Sequence, residues 1–299
     1  VMHASQVVTC TLVGASSHYL DRLKFDTLII DEAAQALEPA CWIAIPRAPK
    51  LVLAGDPHQL PPTIKSKEAR QGGLATTLIE KAIKILPEVD LLDTQYRMHQ
   101  TIMGFSNQLF YANQLQAHAS VADRQLILES GPQPPLDFID TAGCGFTEQQ
   151  NPETLSYKNP DELILLREHL DLLLADVPEG EVPTIGIISP YKEQVRYMRA
   201  QFEQDQDFQY HYAVTINTID SFQGQERDVI YISLVRSNSN NVIGFLADTR
   251  RMNVAMTRAK KKLIIIGDSG TIGTHAFYAQ FLDYCEQQDA YRSAWEYMS

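Results

Sequence analysis

Several absences bound this chain before any motif is considered. Cysteine is scarce: four in 299 residues, Cys10, Cys41, Cys144 and Cys285, with no C-x-x-C pair among them. That excludes a disulfide framework or a paired-cysteine zinc site and leaves reduced thiols in a cytoplasmic setting as the expectation. No apolar run approaches the roughly 20 residues needed to span a bilayer, so no membrane association is expected. The opening VMHASQVVTCTLVGA has no basic stretch leading into an apolar one, so it does not read as a secretory signal. Positive charge is in deficit, with 25 Lys and Arg against 37 Asp and Glu, a net charge of −12 and a pI near 5.1. A globally basic binding surface is thereby excluded, although a local groove can still be basic on an acidic protein. A Gly-Lys-Ser or Gly-Lys-Thr triplet occurs nowhere, so the glycine-rich loop that cradles nucleotide phosphates is missing. Val1 is not an initiator methionine and strand-like sequence starts at once, as expected of a segment of a longer protein.

What remains is an ordinary globular composition, 44% hydrophobic and 21% charged, in a chain long enough for two domains. No internal repeat or low-complexity tract is evident. Short β-branched runs predict strands at 7–13, 27–31, 50–55, 184–189, 229–234 and 263–267. Helical periodicity marks 74–86, 161–174, 191–202 and 275–285. Nearly continuous apolar strands such as TLIID, LVLAG, IGIIS, VIYIS and LIIIG predict burial on both faces, as in a parallel sheet covered by helices. Alternation of the two element types gives an α/β class. The stretch from about Ala112 to Pro160, with GPQPP, GCG and TEQQNPET, reads as loop or insertion. A domain division is expected near Asp93 to Gln95, giving 1–94 and 95–299.

Five stretches carry chemistry. In LIIDEAAQ, Asp31 and Glu32 close an apolar strand, where α/β sheets receive ligands. Asp31 could hold Mg²⁺ and Glu32 could deprotonate an attacking water; the alternative is a strand end solvated by two acids. In LVLAGDPHQLPP, Gln59 could sense a terminal phosphate, or the segment is simply a tight Gly/Pro turn. In QYRMH, Tyr96 could stack on adenine and Arg97 could neutralise charge on a transferred phosphoryl group, whereas Met98 and His99 read as packing. TIDSFQGQERDVI offers Gln223 and Gly224 for close backbone approach. There Glu226 could accept from a ribose hydroxyl and Thr218 could touch a nucleic-acid backbone, against the plainer reading of a polar turn. RRMNVAMTRAKK sets Arg258 on an expected helix, as an arginine finger or as surface charge. Surface charge is the preferred account of Lys260, Lys261 and Lys262.

In their order these five stretches resemble motifs II to VI of superfamily 1 helicases, in the branch of the up-frameshift and immunoglobulin-mu-binding helicases. VVTCTLVGA, ISPYKEQ and GFLADTRRMNVA extend the resemblance over nearly the whole chain. It implies a P-loop NTPase motor of two RecA-like domains, parallel sheets flanked by helices, with ATP and Mg²⁺ used in the cleft between them. Residues 1–94 would be the back of the first motor domain and 95–299 the second. By position, Asp31 corresponds to the magnesium ligand and Glu32 to the water-activating acid. Gln59 matches the phosphate sensor, Arg97 and Arg258 the two arginines, Tyr96 the adenine-stacking aromatic, and Glu226 the coupling residue. Thr9, Thr11, Pro190, Tyr191 and Thr218 fall at the family's contacts to single-stranded DNA or RNA. The family's phosphate loop would have to come from the missing N-terminal part of the same motor, so the isolated chain is expected to bind ATP weakly and not to hydrolyse it. The competing reading is a helicase-derived binding module without hydrolysis. DNA versus RNA and oligomeric state have no signature in the sequence.

Overall fold

The computed structural model describes residues 5–204 and 214–298. The chain divides into two compact units, Val1–Leu91 and Leu92–Ser299. Among the described residues no helix is long and apolar enough to cross a membrane.

The first unit is built on a β-α-β segment. Strand β1 (Thr27–Ile30) pairs in parallel with β2 (Lys50–Leu53), Ile30 standing opposite Leu53, and helix α1 (Glu38–Ala44) connects them. Its apolar cluster is small: Ile30, Ala33, Ala34, Cys41 and Ile79. The two-faced burial expected of these strands does not hold here, for Ile29 is 65% exposed and Leu51 and Val52 are exposed beside it. The strand expected at 7–13 is also absent. That segment is irregular until a 3-10 turn at Val13–Ser16, and Val7 lies in solvent. A β-branched run has strand propensity only where a neighbouring strand takes its hydrogen bonds, and none does here. Helix α2 (Leu78–Ile85) starts later than expected. Thr77 and Glu80 form a reciprocal capping box there, Thr77 N–H donating to Glu80 Oε2 at 2.8 Å and Glu80 N–H to Thr77 Oγ1 at 3.3 Å.

The second unit carries the larger sheet. Its strands are β3 (Leu136–Asp140), β4 (Ile185–Ser189), β5 (Val214–Thr218), β6 (Arg227–Ser233), β7 (Ala259–Gly267) and β8 (Tyr291–Ser293). They lie in the order β5-β4-β6-β7-β3-β8, every neighbouring pair parallel. Strand β3 falls inside the stretch expected to be loop. Asp137 breaks its apolar run, and that carboxylate is buried against Lys262 Nζ at 2.5 Å.

Helices cover both faces of this sheet. Ile139 packs with α4 (Pro160–Ala175) and α5 (Lys192–Glu203) through Leu166, Leu170, Val195 and Met198. Its neighbour Phe138 points the other way, as successive strand residues must, and meets Phe281 at 6.0 Å on α7 (Ala276–Gln287). Phe281 in turn packs on Phe105 at 5.2 Å, which belongs to α3 (Gln100–Phe110). Helix α6 (Thr249–Met256) leads directly into β7.

Candidate nucleotide and strand site

In the first unit the site is made by two turns at the carboxyl ends of adjacent parallel strands. After β1 come Asp31 and Glu32, both exposed. Glu32 takes a left-handed backbone with φ of 51°, a conformation that costs a non-glycine residue on the order of 1 kcal/mol and is found where a side chain has to be aimed. Its N–H donates to Asp31 Oδ1 at 3.0 Å, and Gln35 Nε2 donates to Glu32 Oε2 at 2.6 Å, so both carboxylates are oriented but keep open lone pairs. After β2 the chain passes hard against this turn. Ala33 N–H donates to Ala54 O at 2.8 Å, and a Cβ on Gly55 would lie 2.9 Å from the nitrogens of Ala33 and Ala34. Only glycine lets the two turns touch. Asp56 then accepts from His58 N–H at 2.9 Å and from Gln59 Nε2 at 2.8 Å, which fixes the expected sensor amide. Gln35 and Asp56 were not singled out from the sequence; the Asp two residues before His58 is a legible Asx-turn signal. Thr9 and Thr11 are exposed in this unit, and Thr11 Oγ1 accepts from Gly14 N–H at 3.0 Å.

In the second unit Gln95 organises the QYRMH turn. Its Oε1 accepts from the N–H groups of Arg97 at 2.8 Å and Met98 at 2.9 Å, and its Nε2 donates to Met98 O at 2.8 Å. Tyr96 is thereby held outward, 62% exposed, its ring 4.5 Å from that of His118. Arg97 Nε donates to Glu226 Oε2 at 2.8 Å and its Nη1 to Thr257 O at 3.3 Å, while Lys260 Nζ lies 3.1 Å from Glu226 Oε1. Burial acts to raise the Glu226 carboxyl, but hydrogen bonds and charge from Arg97 and Lys260 outweigh it and hold the group below its ordinary range. Glu226 is therefore a carboxylate already paired with two cations.

Several expectations change here. Lys260, Lys261 and Lys262 are not helix-surface charges. They lie on β7, paired with Glu226, Asp228 and Asp137 respectively, because the helix before them ends at Met256. Arg258 sits in the turn between α6 and β7 and is 3% exposed, its Nε donating to Val254 O at 2.8 Å and Nη2 to Thr257 Oγ1 at 3.3 Å. The guanidinium is held against the end of α6. Tyr191, expected at the strand, is 1% exposed and its hydroxyl donates to Ile243 O at 3.2 Å. Its ring is a packing element, because the chain enters α5 directly after β4 and tucks it under the loop at 243–246.

The segment 218–226 links two edges of the sheet. Thr218 is the register partner of Ser189, at the carboxyl ends of β5 and β4, with Pro190 next and half-buried. Buried Phe222 anchors the crossing, Gln223 Nε2 is buried with no hydrogen-bond partner among the described residues, and Gly224 turns with φ of 73°. Glu226 then arrives at the amino ends of β6 and β7, where Arg227 N–H donates to Arg258 O at 3.0 Å. The nucleotide candidates Arg97, Glu226 and Arg258 thus gather at one edge and the strand candidates Thr218 and Pro190 at the other. Thr218 Oγ1 lies 3.1 Å from Ser221 Oγ, and Asp220 is tied to Arg251 at 3.3 Å.

Comparison with known proteins agrees with the motif order. Family models described as AAA domains match residues 74–270 and 1–67. DNA-binding protein SMUBP-2 of Mesocricetus auratus is 39% identical over 99% of this chain and 30% of its own length. DNA polymerase alpha-associated DNA helicase A of Saccharomyces cerevisiae is 39% identical over 95% of this chain and 45% of its own length. The regulator of nonsense transcripts 1 homolog of Drosophila melanogaster is 35% identical over 95% of this chain and 24% of its own length. The chain thus spans less than half of each of these relatives. A solved PRRSV helicase is 17% identical with a TM-score of 0.39, covering 80% of this chain and 34% of that one. The matched domains, the identities and the ordered motifs lead to one assignment: the chain belongs to the superfamily 1 helicases of the up-frameshift and immunoglobulin-mu-binding branch.

Proposed function

We propose that this chain is the C-terminal part of an ATP-dependent helicase that moves along single-stranded DNA or RNA and unwinds duplexes. Its first unit would be the back of the first RecA-like motor domain and its second unit the second motor domain. The observation that carries the reading is the pair of touching turns after β1 and β2, which sets Asp31, Glu32 and Gln59 at the ligand-receiving end of a parallel sheet.

The residues fit ATP and Mg²⁺. Among the described residues no cluster of three His, Cys, Asp or Glu could cage a metal ion. Mg²⁺ needs few protein ligands when phosphates and water supply the rest, and Asp31 offers one exposed carboxylate. When bound, the metal neutralises phosphate charge and polarises the transferred phosphoryl group. Glu32, exposed at the turn, takes the proton of an attacking water, with Gln35 steadying one of its carboxylate oxygens. Gln59 offers an amide to the terminal phosphate, its angle set by Asp56. Tyr96 gives the adenine a face, and Arg97 presents a cation whose position Glu226 already fixes.

Two measurements test the proposal. In the full-length protein, Glu32→Ala should lower strand-stimulated ATP turnover by roughly 10²–10⁴-fold, the range for loss of a general base; turnover near wild type would remove Glu32 from that role. The 299-residue chain alone should show weak ATP binding and no strand-stimulated hydrolysis, for want of a phosphate loop. Robust hydrolysis by the chain alone would contradict this.

A further inference from the structure

Tyr191 is buried, yet what lies on it is not. Phe245 stands in the 3-10 turn Gly244–Ala247, is 62% exposed, and its ring lies against that of Tyr191, 5.7 Å between centroids and tilted by 50°. The floor beneath this ring is unusually fixed. Arg236 is buried and makes a two-pronged contact with Glu148, Nε to Oε2 at 2.7 Å and Nη2 to Oε1 at 2.9 Å, while its guanidinium lies 4.3 Å from the Tyr157 ring and its Nη1 donates to Tyr191 OH at 3.4 Å. Glu148 also accepts from Ser237 N–H at 2.9 Å. Val235, just before, has φ of 72°, a strained choice for a β-branched residue. Its N–H is held 3.0 Å from both oxygens of buried Glu162. Gly244 completes the fixture: its φ is 57°, and a Cβ there would meet Arg236 Nη1 at 2.4 Å. A buried charge pair, a strained valine and an irreplaceable glycine are a large structural investment under a ring that is itself mostly in water.

We propose that Phe245 is a stacking platform for an unpaired base of the single strand, with Tyr191 and Arg236 as its rigid floor; this rests on the helicase reading above. Position supports it. Tyr191 is two residues beyond Ser189, whose register partner is Thr218, and Arg251 ties Asp248, three residues past Phe245, to Asp220 at 2.9 and 3.3 Å respectively. Phe245 therefore shares the sheet edge that offers Thr218, Ser221 and Pro190 to a sugar-phosphate backbone. A free aromatic face next to hydroxyl groups suits a strand, since every base has a π-face and the backbone takes neutral donors. The exposed apolar area is one ring and Val242, far below the roughly 1,000 Å² of a stable protein interface.

The test uses the full-length protein and labelled oligothymidylate and oligouridylate strands. Phe245→Ala and Phe245→Leu should each weaken binding roughly five- to hundred-fold, the range for loss of one base–aromatic stack. Phe245→Trp should keep wild-type affinity and add a fluorescence signal that quenches with strand. On an abasic strand of equal length, wild type and all three variants should bind alike. Wild-type affinity in Phe245→Ala, full retention in Phe245→Leu, or an unquenched Phe245→Trp would each overturn the platform. Failure of the wild-type protein to bind any single strand would instead sink the helicase reading beneath it.

Discussion

Asp31 and Glu32 stand in solvent at the end of a strand in which Ile30 is buried but Ile29 is largely bare. Arg97, by contrast, is already clamped to Glu226 beside a six-stranded sheet buried on both faces. The units treat charge oppositely throughout. Every buried acidic, basic or histidine side chain among the described residues lies in the second unit: His99, Asp137, Glu162, His169, Glu193, Arg236, Arg258 and Lys262. The described two-stranded sheet leaves Asp31 and Glu32 exposed. The covered six-stranded sheet holds Asp137, Arg236 and Lys262 out of water in ion pairs, and pairing pre-sets their geometry. The acids are arranged by local turns and the arginines by tertiary packing.

The sharpest way to break this contrast is at Arg97. In the full-length protein Arg97→Ala should lower strand-stimulated ATP turnover by about 10³-fold or more, as loss of an arginine finger does, while leaving the second unit folded. Circular dichroism alongside the assay separates the two effects. If Arg97→Ala unfolds the unit and Arg97→Lys restores structure without activity, the pair with Glu226 is structural as well.

Core truncation should sort the units next. Phe138→Ala removes a fully buried ring from the second unit and should cost about 3–5 kcal/mol by denaturant unfolding. Ile29→Ala, at an exposed site, should cost under about 1 kcal/mol. Equal costs would mean that the first sheet is as covered as the second. Native-state hydrogen exchange should run in the same order, β1 and β2 exchanging faster than β4, β6 and β7.

The smallest effect concerns pH. Burial raises the Glu162 carboxyl from 4.5 to about 8, against hydrogen bonds from Ser233 and Val235. A folded pKa above the unfolded one gives stability that is full below pH 4.5 and is lost as pH rises toward 8. Burial lowers His169 from 6.5 to about 4, so it works in the opposite sense between those values and not above them. Between about pH 6.5 and 8 the second unit should therefore lose stability, by at most about 1.4 kcal/mol per pH unit for one proton. Glu162→Gln should flatten that slope, and an unchanged melting curve across this window would show that Glu162 does not titrate there.

How legible the molecule was depends on the kind of residue. The strands TLII, KLVL, IGIIS and LIIIG were readable because an apolar run between turn residues has few other uses in an α/β chain. LDFID was not, because a buried aspartate in a Pro-flanked strand makes sense only once Lys262 is seen across the sheet from it. The expected strand at 7–13 failed for the converse reason, good propensity with no partner. Asp31, Glu32, Gln59, Tyr96 and Arg97 could be picked out as candidates because their chemistry and spacing belong to the turns that carry them. The supporting groups Gln35, Asp56 and Gln95 were overlooked and Lys260 was read as surface charge, since a polar side chain does not announce its hydrogen-bond partner.

The sequence alone therefore determined the order of chemical groups, the alternation of strand and helix, and the family, because each is written in residue type and short-range spacing. Only the tertiary structure decided that Tyr191 is buried while Phe245 beside it is exposed. It also decided that Arg258 is turned inward, that Lys260 joins Arg97 on Glu226, and that the strands of the first unit are half-bare. Those facts depend on which surfaces meet across long stretches of chain. Burial and pairing are properties of that meeting, and no local pattern encodes them.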